Sequence, residues 1–287
     1  MILKCDNLSY TYGVGTPFQR TAVNNIDLKI EEGEFIGVIG HTGSGKSTLL
    51  QLFNGLLKPE TGKVYIDGID IWEKPENARK ARFSVGLVFQ YPEYQLFEET
   101  VYKDISFGPK NMGLNEEEID KRVREAIEFV GLSEDLLEKS PFELSGGQKR
   151  RVAIAGVIAM QPKILILDEP TAGLDPKGKE EILSHIKKYH EEKNSTILLV
   201  SHSMEDIAKY SSKILVLQKG EKILFDTVKN VFSKSEELEK MGLSIPQITK
   251  IFIKLKNHGV DVDTGIYTVE DGKKEIIRLI KERNNSV

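Results

Sequence analysis

"GHTGSGKS", residues 40–47, decides how the rest of the chain is read. It fits G-x-x-x-x-G-K-[ST], with Gly40, Gly45, Lys46 and Ser47 at the fixed positions and His41, Thr42, Gly43 and Ser44 between them. In such a loop successive backbone N–H groups point at phosphate oxygens, and the helix that follows adds the positive end of its dipole. The lysine reaches the outer phosphates, and the Ser47 hydroxyl suits Mg²⁺. The context agrees: "EFIGVIG" (34–40) leads into the loop as a strand does, and "STLLQLFNGLL" (47–57), opening on Ser47 and Thr48, continues it with helical spacing.

Three more apolar runs end in polar residues with chemical potential. "SVGLVF" (84–89) runs into Gln90, "ILIL" (164–167) into Asp168 and Glu169, and "TILLVS" (196–201) into His202. Continuous runs of Val, Ile and Leu read as strands buried on both faces, and the helical patterns between them imply a parallel α/β sheet. Ligands of such sheets sit beyond the carboxyl ends of the strands. All four polar sets are therefore expected along one edge. There Asp168 can hold Mg²⁺ opposite Ser47, and Glu169 can orient and deprotonate an attacking water. Gln90 can ligate Mg²⁺ or that water, and His202 can hydrogen-bond the terminal phosphate. Each has a plainer reading when taken alone: a surface acid, a solvated glutamine, a structural histidine. Tyr12, in "YTYG" (10–13), can stack on a base or sit in a core.

A second anion cradle lies about a hundred residues downstream. In "LSGGQKRR" (144–151), Ser145, Gly146, Gly147 and Gln148 open a further helical run, a place where a phosphate can bind. One chain with two cradles needs a reason for the second.

The composition is that of an ordinary globular chain: 287 residues, 39% hydrophobic, 29% charged. The net charge of −4 provides no global basic field, so nucleic acid is not an expected partner. The single cysteine, Cys5, excludes an intrachain disulfide. "MILKCDNLSY" (1–10) lacks the signal-peptide pattern and no apolar run spans a bilayer, so the chain is expected inside the cell, docked onto something embedded if it serves a membrane.

Residues 115–132, "NEEEIDKRVREAIEFVGL", read as an amphipathic helix capped by Asn115 and stopped by Gly131, with Ile119, Val123, Ile127 and Val130 on one face. Residues near 92–160 are expected to form a helical subdomain inserted in the sheet domain. "DLKIEEGEF" (27–35) and "GKVYIDGIDI" (62–71) alternate like antiparallel strands. After Phe225 two helices joined by a short extended piece are expected, over "SIPQITKIFIKLKNHG" (244–259) and "DGKKEIIRLIKERNN" (271–285). The expected division is 1–225 for the nucleotide-binding domain and 226–287 for a C-terminal extension.

Together "GHTGSGKS", Gln90, "LSGGQ", "ILILDEP", "AGLD" (172–175) and His202 resemble the motif set of an ATP-binding cassette ATPase over residues 1–225. "FQYPEYQLFEETVYKDISFGP" (89–109), "GTPF" (15–18) and "SGGQKRRVAIAGV" (145–157) are similar to the energy-coupling factor importers of vitamins and metal ions, and to the second of their two paralogous ATPases. The resemblance implies a P-loop NTPase of the α/β class: a parallel core sheet, an N-terminal antiparallel β subdomain, the inserted helices and a small C-terminal extension for dimer contact. It implies ATP and Mg²⁺, with Tyr12, residues 40–48 and Gln90 contacting the nucleotide. Glu169 and His202 are the implied catalytic pair, and Ser47, Gln90 and Asp168 the implied metal set. Two such domains pack head to tail, so Ser145, Gly146, Gly147 and Gln148 serve the partner's ATP, which accounts for the second cradle. The implied partners are a paralogous ATP-binding subunit, with a homodimer as the alternative, a transmembrane coupling subunit and a substrate-binding membrane subunit. The implied place is the cytoplasmic face of a cell membrane, held peripherally, with the segment 91–101 docking the membrane subunits.

Two other readings compete: an ATPase of another importer type, and a soluble cassette ATPase of DNA repair or translation. The latter typically carries long coiled-coil insertions or two cassettes in one chain, and neither occurs here. An inactive nucleotide-binding regulator is disfavoured by intact Lys46, Asp168, Glu169 and His202.

Overall fold

The computed structural model describes residues 1–285. Among the described residues ten strands form two sheets. β1 (Leu3–Tyr12), β2 (Arg20–Ile30), β4 (Thr61–Ile66) and β5 (Ile69–Asp70) make an antiparallel sheet ordered β2-β1-β4-β5. β3 (Phe35–Ile39), β6 (Val85–Val88), β7 (Ile164–Asp168), β8 (Thr196–Val200), β9 (Lys213–Gln218) and β10 (Glu221–Thr227) make the second, ordered β10-β9-β3-β8-β7-β6. All its neighbours run parallel except the edge pair β9 and β10.

The continuous apolar runs are explained by what lies on each face. Every residue of β3, β7 and β8 is buried. Successive side chains of a strand point to opposite faces, so Leu165 and Leu167 enter one core while Ile164 and Ile166 enter the other. The first core packs the parallel sheet against helices. The second packs it against the antiparallel sheet through Leu3, Val23, Ile26 and Val64. A fully buried side chain of this size contributes about 1.5–3 kcal/mol, so truncation anywhere in these strands is felt.

Eleven α-helices are found among the described residues. α1 (Lys46–Asn54) follows the glycine-rich loop and stops at Gly55 in the left-handed region. α2 (Pro75–Ser84) precedes β6. α3 (Val101–Asn111), α4 (Glu116–Phe129) and α5 (Gly146–Ile158) fall between β6 and β7. α4 matches the expected amphipathic helix: the Asn115 side chain accepts from Glu118 N, and Ile119, Val123, Ala126 and Ile127 are buried. α6 (Pro176–Lys193) and α7 (Met204–Tyr210) flank β8 in sequence.

The chain after β10 is more helical than its pattern suggested. Two short helices, α8 (Val228–Ser233) and α9 (Ser235–Lys240), precede α10 (Gln247–Asn257) and α11 (Val269–Asn285). Residues 260–270, expected to be extended, hold no strand, and the last two already belong to α11. Val228, Val231, Phe232, Leu238, Leu243 and Ile245 are seated in the main core, whereas Phe252, Val262 and Ile266 form a small core of their own. The expected extension reaches two residues past the described part of the chain.

Candidate active site

The order of the sheet dictates the order of the chemistry. Reading along β3, β8, β7 and β6, the carboxyl ends carry the loop from Gly40, then His202, then Asp168 with Glu169, then Gln90. Since β7 lies between β8 and β6, its terminal carboxylate is flanked from both sides. His202 Nε2 is 2.7 Å from Glu169 Oε1, and Gln90 Nε2 donates to Glu169 Oε2 at 3.1 Å. Gln90 stands two residues past the end of β6, which leaves its amide free to swing toward β7. The three side chains singled out from separate runs therefore form one hydrogen-bonded unit.

The backbone of Glu169 is strained to make this arrangement. Its φ is 52°, in the left-handed region, a cost on the order of 1–3 kcal/mol for a residue other than glycine. Glu169 N donates to Val200 O at 3.2 Å, and its carbonyl accepts from Ala172 N at 3.2 Å, so the strained conformation is held from both sides. Tyr91, directly after Gln90, is likewise left-handed at φ 55°.

The glycine-rich loop has the geometry its composition implies. Gly43 and Gly45 have φ of 79° and 99°. A Cβ on Gly45 would run into the Ala22 carbonyl, so that position tolerates only glycine. Lys46 is buried and its Nζ donates to Gly40 O at 2.6 Å and His41 O at 3.0 Å. Burial pushes its ammonium below the ordinary value, while Glu169 and then Asp168 pull the other way. Ser44 Oγ is buried without a protein partner. A buried hydroxyl without a partner is costly, and a phosphate oxygen in the loop is the acceptor that suits it. Ser47 and Thr42 are exposed; Thr48 is buried, with Oγ1 3.3 Å from the Tyr12 hydroxyl. Tyr12 is 41% exposed at the end of β1 and packs edge-on against Tyr10, leaving a ring surface beside the loop. His41 turns its ring away, with Nε2 2.6 Å from the Met241 carbonyl.

For Mg²⁺ the donor set is chemically suitable. The Ser47 hydroxyl, the Gln90 amide oxygen and the buried Asp168 carboxylate are hard oxygens, which Mg²⁺ prefers. Among the described residues no cluster of three His, Cys, Asp or Glu could hold a metal unaided. Mg²⁺ needs none, because it binds through one or two carboxylates together with substrate phosphates and water.

The second cradle opens α5. Ser145 Oγ accepts from Gln148 N at 3.3 Å and Gln148 Oε1 accepts from Ser145 N at 3.0 Å, a reciprocal cap. Gly146 is exposed and Gly147 partly so, with no atom near either Cα on the side-chain side. Among the described residues no hydrogen bond or ion pair joins 145–148 to 40–48, so the two cradles do not close one site through direct bonds of that kind.

An ABC transporter family model matches residues 23–172. The energy-coupling factor transporter ATP-binding protein EcfA2 of Caldanaerobacter subterraneus subsp. tengcongensis is 56% identical over 285 residues, 99% of this chain and 100% of that protein. The protein of the same name from Clostridium acetobutylicum is 57% identical over 282 residues, 98% of this chain and 99% of that one. The chain belongs to the ABC transporter family, in its energy-coupling factor branch. Among solved structures, cbiO1 from Clostridium perfringens, part of the ABC transporter complex cbiONQ, superposes with a TM-score of 0.73 at 44% identity, covering 86% of this chain and 96% of that one. The ATP-binding cassette MJ0796, a dimer in a post-hydrolysis state bound to ADP and Pi, gives 0.71 at 33% identity, covering 79% and 99%.

As an ABC transporter ATPase the chain binds ATP, and some of its functional framework escaped the sequence reading. Arg150, on α5, donates from Nε to Glu93 Oε2 at 2.9 Å and from Nη2 to Glu93 Oε1 at 2.6 Å, and its Nη1 reaches Ala172 O at 2.5 Å. One buried guanidinium thus ties the signature helix to the segment after Gln90 and to the loop after Glu169. Burial, the largest single influence, raises the Glu93 carboxyl, but the Arg150 hydrogen bonds, a backbone hydrogen bond and the Arg150 charge together outweigh it and hold it below the ordinary value. Nothing in the sequence marked Arg150, which stands between Lys149 and Arg151 in a basic run, and its partner lies 57 residues away.

Proposed function

We propose that the chain is the ATP-hydrolysing subunit of an energy-coupling factor importer, driving uptake of vitamins or metal ions through separate membrane subunits. The observation that carries the reading is the Glu169 carboxylate held between His202 and Gln90 at the sheet edge that also carries the Lys46 loop. In this mechanism the loop N–H groups, Ser44 Oγ and Lys46 Nζ bind the phosphates, and Tyr12 stacks on the base. Glu169 accepts the proton of the attacking water, oriented by Gln90, while His202 hydrogen-bonds the γ-phosphate. Ser47, Gln90 and Asp168 would hold Mg²⁺, which when bound would neutralise charge on the phosphates. Ser145, Gly146 and Gly147 at the start of α5 contact the γ-phosphate bound by a second ATP-binding subunit, so two ATPs close a head-to-tail dimer and hydrolysis reopens it.

The second subunit is a paralogous ATPase, and residues 226–287 contribute to the dimer contact. The membrane coupling subunit docks in a groove of about 470 Å³ lined in part by Leu56, Arg82, Phe97, Asp104, Phe107 and Val157. It is contiguous with the segment after Gln90, and Phe97 meets Phe107 edge-to-face at 5.0 Å on its exposed rim. No described helix is long and apolar enough to cross a membrane; the proposed place of the chain is the membrane's cytoplasmic face, held through those partners.

Reconstitution tests the reading. The chain, its paralogue, a coupling subunit and a vitamin-binding subunit are placed in proteoliposomes, and uptake is followed with and without ATP. ATP-dependent uptake abolished by Glu169→Gln is expected. Equal uptake with and without ATP, or with the mutant, overturns the assignment.

A further inference from the structure

The extension after β10 touches the phosphate cradle directly. His41 Nε2 lies 2.6 Å from the carbonyl oxygen of Met241, 200 residues away in sequence, so the ring carries its hydrogen on Nε2 and donates. Gly242 makes the approach possible. Its φ is 71°, and a Cβ there would fall 2.7 Å from His41 Nε2.

A second contact lies on the next element of the site. The first amide of α10, Gln247 N, donates to Glu205 Oε1 at 3.2 Å, and Glu205 is in the first turn of α7, three residues after His202. Leu243 and Ile245 between these two points, and Leu238 just before the first, are buried in the main core, and Met241 packs against it. The segment 241–247 is therefore a strap fixed at one end to the cradle and at the other to the helix that follows His202.

The cradle residue in this contact is also bonded to Lys46, the lysine proposed to bind phosphate. Lys46 Nζ donates to the carbonyls of Gly40 and His41, and phosphate oxygens compete for that ammonium. His41 thus has its backbone coupled to the lysine and its side chain coupled to the extension. We infer that His41 is a positioning residue that links ATP binding in the cradle to the packing of the C-terminal extension, each favouring the other. The sign follows from preorganisation. A loop pinned from outside loses less freedom when phosphate orders it, and binding is tighter for it. Linkage is reciprocal, so bound nucleotide tightens the strap by the same factor.

The link rests on Gly40–Ser47 being the ATP cradle, and the test separates the two. Hydrogen exchange of the full-length chain is followed at the amides of Met241, Gly242 and Leu243, which donate to Glu237, Glu239 and Leu238 carbonyls. Saturating ADP or a non-hydrolysable ATP analogue is the probe. Exchange at these amides is expected to slow several-fold in the wild type and to ignore nucleotide in His41→Ala. The same variant is expected to weaken nucleotide binding about two- to ten-fold, the value of one hydrogen bond, with KM rising by a larger factor than kcat falls. His41→Gln, which keeps a donor, restores both effects, while Gly242→Ala breaks the contact from the other side and repeats the loss. Normal binding by the wild type with nucleotide-indifferent exchange overturns the link and leaves the cradle assignment standing. So does His41→Ala with unchanged affinity. No nucleotide binding by the wild type overturns the cradle assignment and the link with it.

Discussion

His202 Nε2 and Glu169 Oε1 are 2.7 Å apart because β8 and β7 are neighbours whose last residues are in register, Val200 against Asp168. The pairing of two strands sets the distance between the carboxylate and the imidazole. With Gln90 on the other oxygen, the carboxylate has one favoured orientation, which is what a group that must meet a water in one geometry requires.

Because the two side chains act as a unit, their losses do not add. Glu169→Gln is expected to keep ATP binding and lower hydrolysis by about 10²-fold or more, the scale of a removed general base. His202→Ala is expected to lower it also, and the double variant to be little worse than Glu169→Gln. Steady-state phosphate release at saturating Mg²⁺-ATP measures all three. Full additivity in the double variant would count against the unit.

Burial of Lys46, proposed to bind phosphate, comes at the expense of the fold. Its native pKa is depressed by burial below the 10.5 of an ordinary lysine. The unfolded chain therefore holds that proton more tightly, and stability on this account rises as pH climbs through the depressed value toward 10.5. Lys46→Met is expected to lose most ATP affinity while melting no lower than wild type at pH 7. The stability difference narrows at pH 10. Calorimetric titration and melting curves read the two effects.

The Glu93 carboxylate paired with Arg150 gives a pH response of the same sign, at the acid end of the range. Its folded pKa lies below the ordinary 4.5, so its stabilisation is complete above that value and is lost as pH falls through the native one. The pair is well sequestered, with side chains 4% and 15% exposed. Glu93→Gln is expected to cost about 2 kcal/mol at pH 7, the scale for hydrogen bonds to a charged group. The gap to wild type closes on acidification below pH 4, as urea unfolding across that range will show.

The parts of the site legible in the sequence were those written locally. "ILILD" states burial on both faces and a carboxylate at the strand's end in five letters, and "NEEEIDKRV" states its own cap. Two things were not written locally. Arg150 with Glu93, and His41 with Met241, join residues that only the fold brings together, and a surface arginine or histidine would look the same in sequence. α8 and α9 escaped because six-residue helices hold too few turns to show a period, and their buried residues answer to the main core rather than to each other.

Complementation tests the shared site. A chain with Lys46→Ala and one with Ser145→Arg place both defects in one composite site when they pair, leaving the opposite site with an intact loop and signature. Partial recovery of ATPase activity on mixing is expected. Activity of each variant that is independent of concentration, with no gain on mixing, would refute sandwiching between two copies of this chain.

The docking groove can be tested at its rim. Phe97→Asp combined with Phe107→Asp is expected to abolish co-purification with the coupling subunit while the isolated chain still binds ATP. Retained assembly would move the docking surface elsewhere.

The neighbours of β3 impose a timetable on synthesis. Phe35 pairs with Ile197 and Ile36 with Lys213, so the strand that delivers the phosphate loop is flanked on both sides by strands made much later. At about 5–20 residues per second, a ribosome needs roughly ten to thirty seconds to make the intervening chain. Throughout that interval both edges of an entirely apolar strand lie open. The nascent chain is thus most exposed to mispairing in its first half, and its ATP site is among the last features to form.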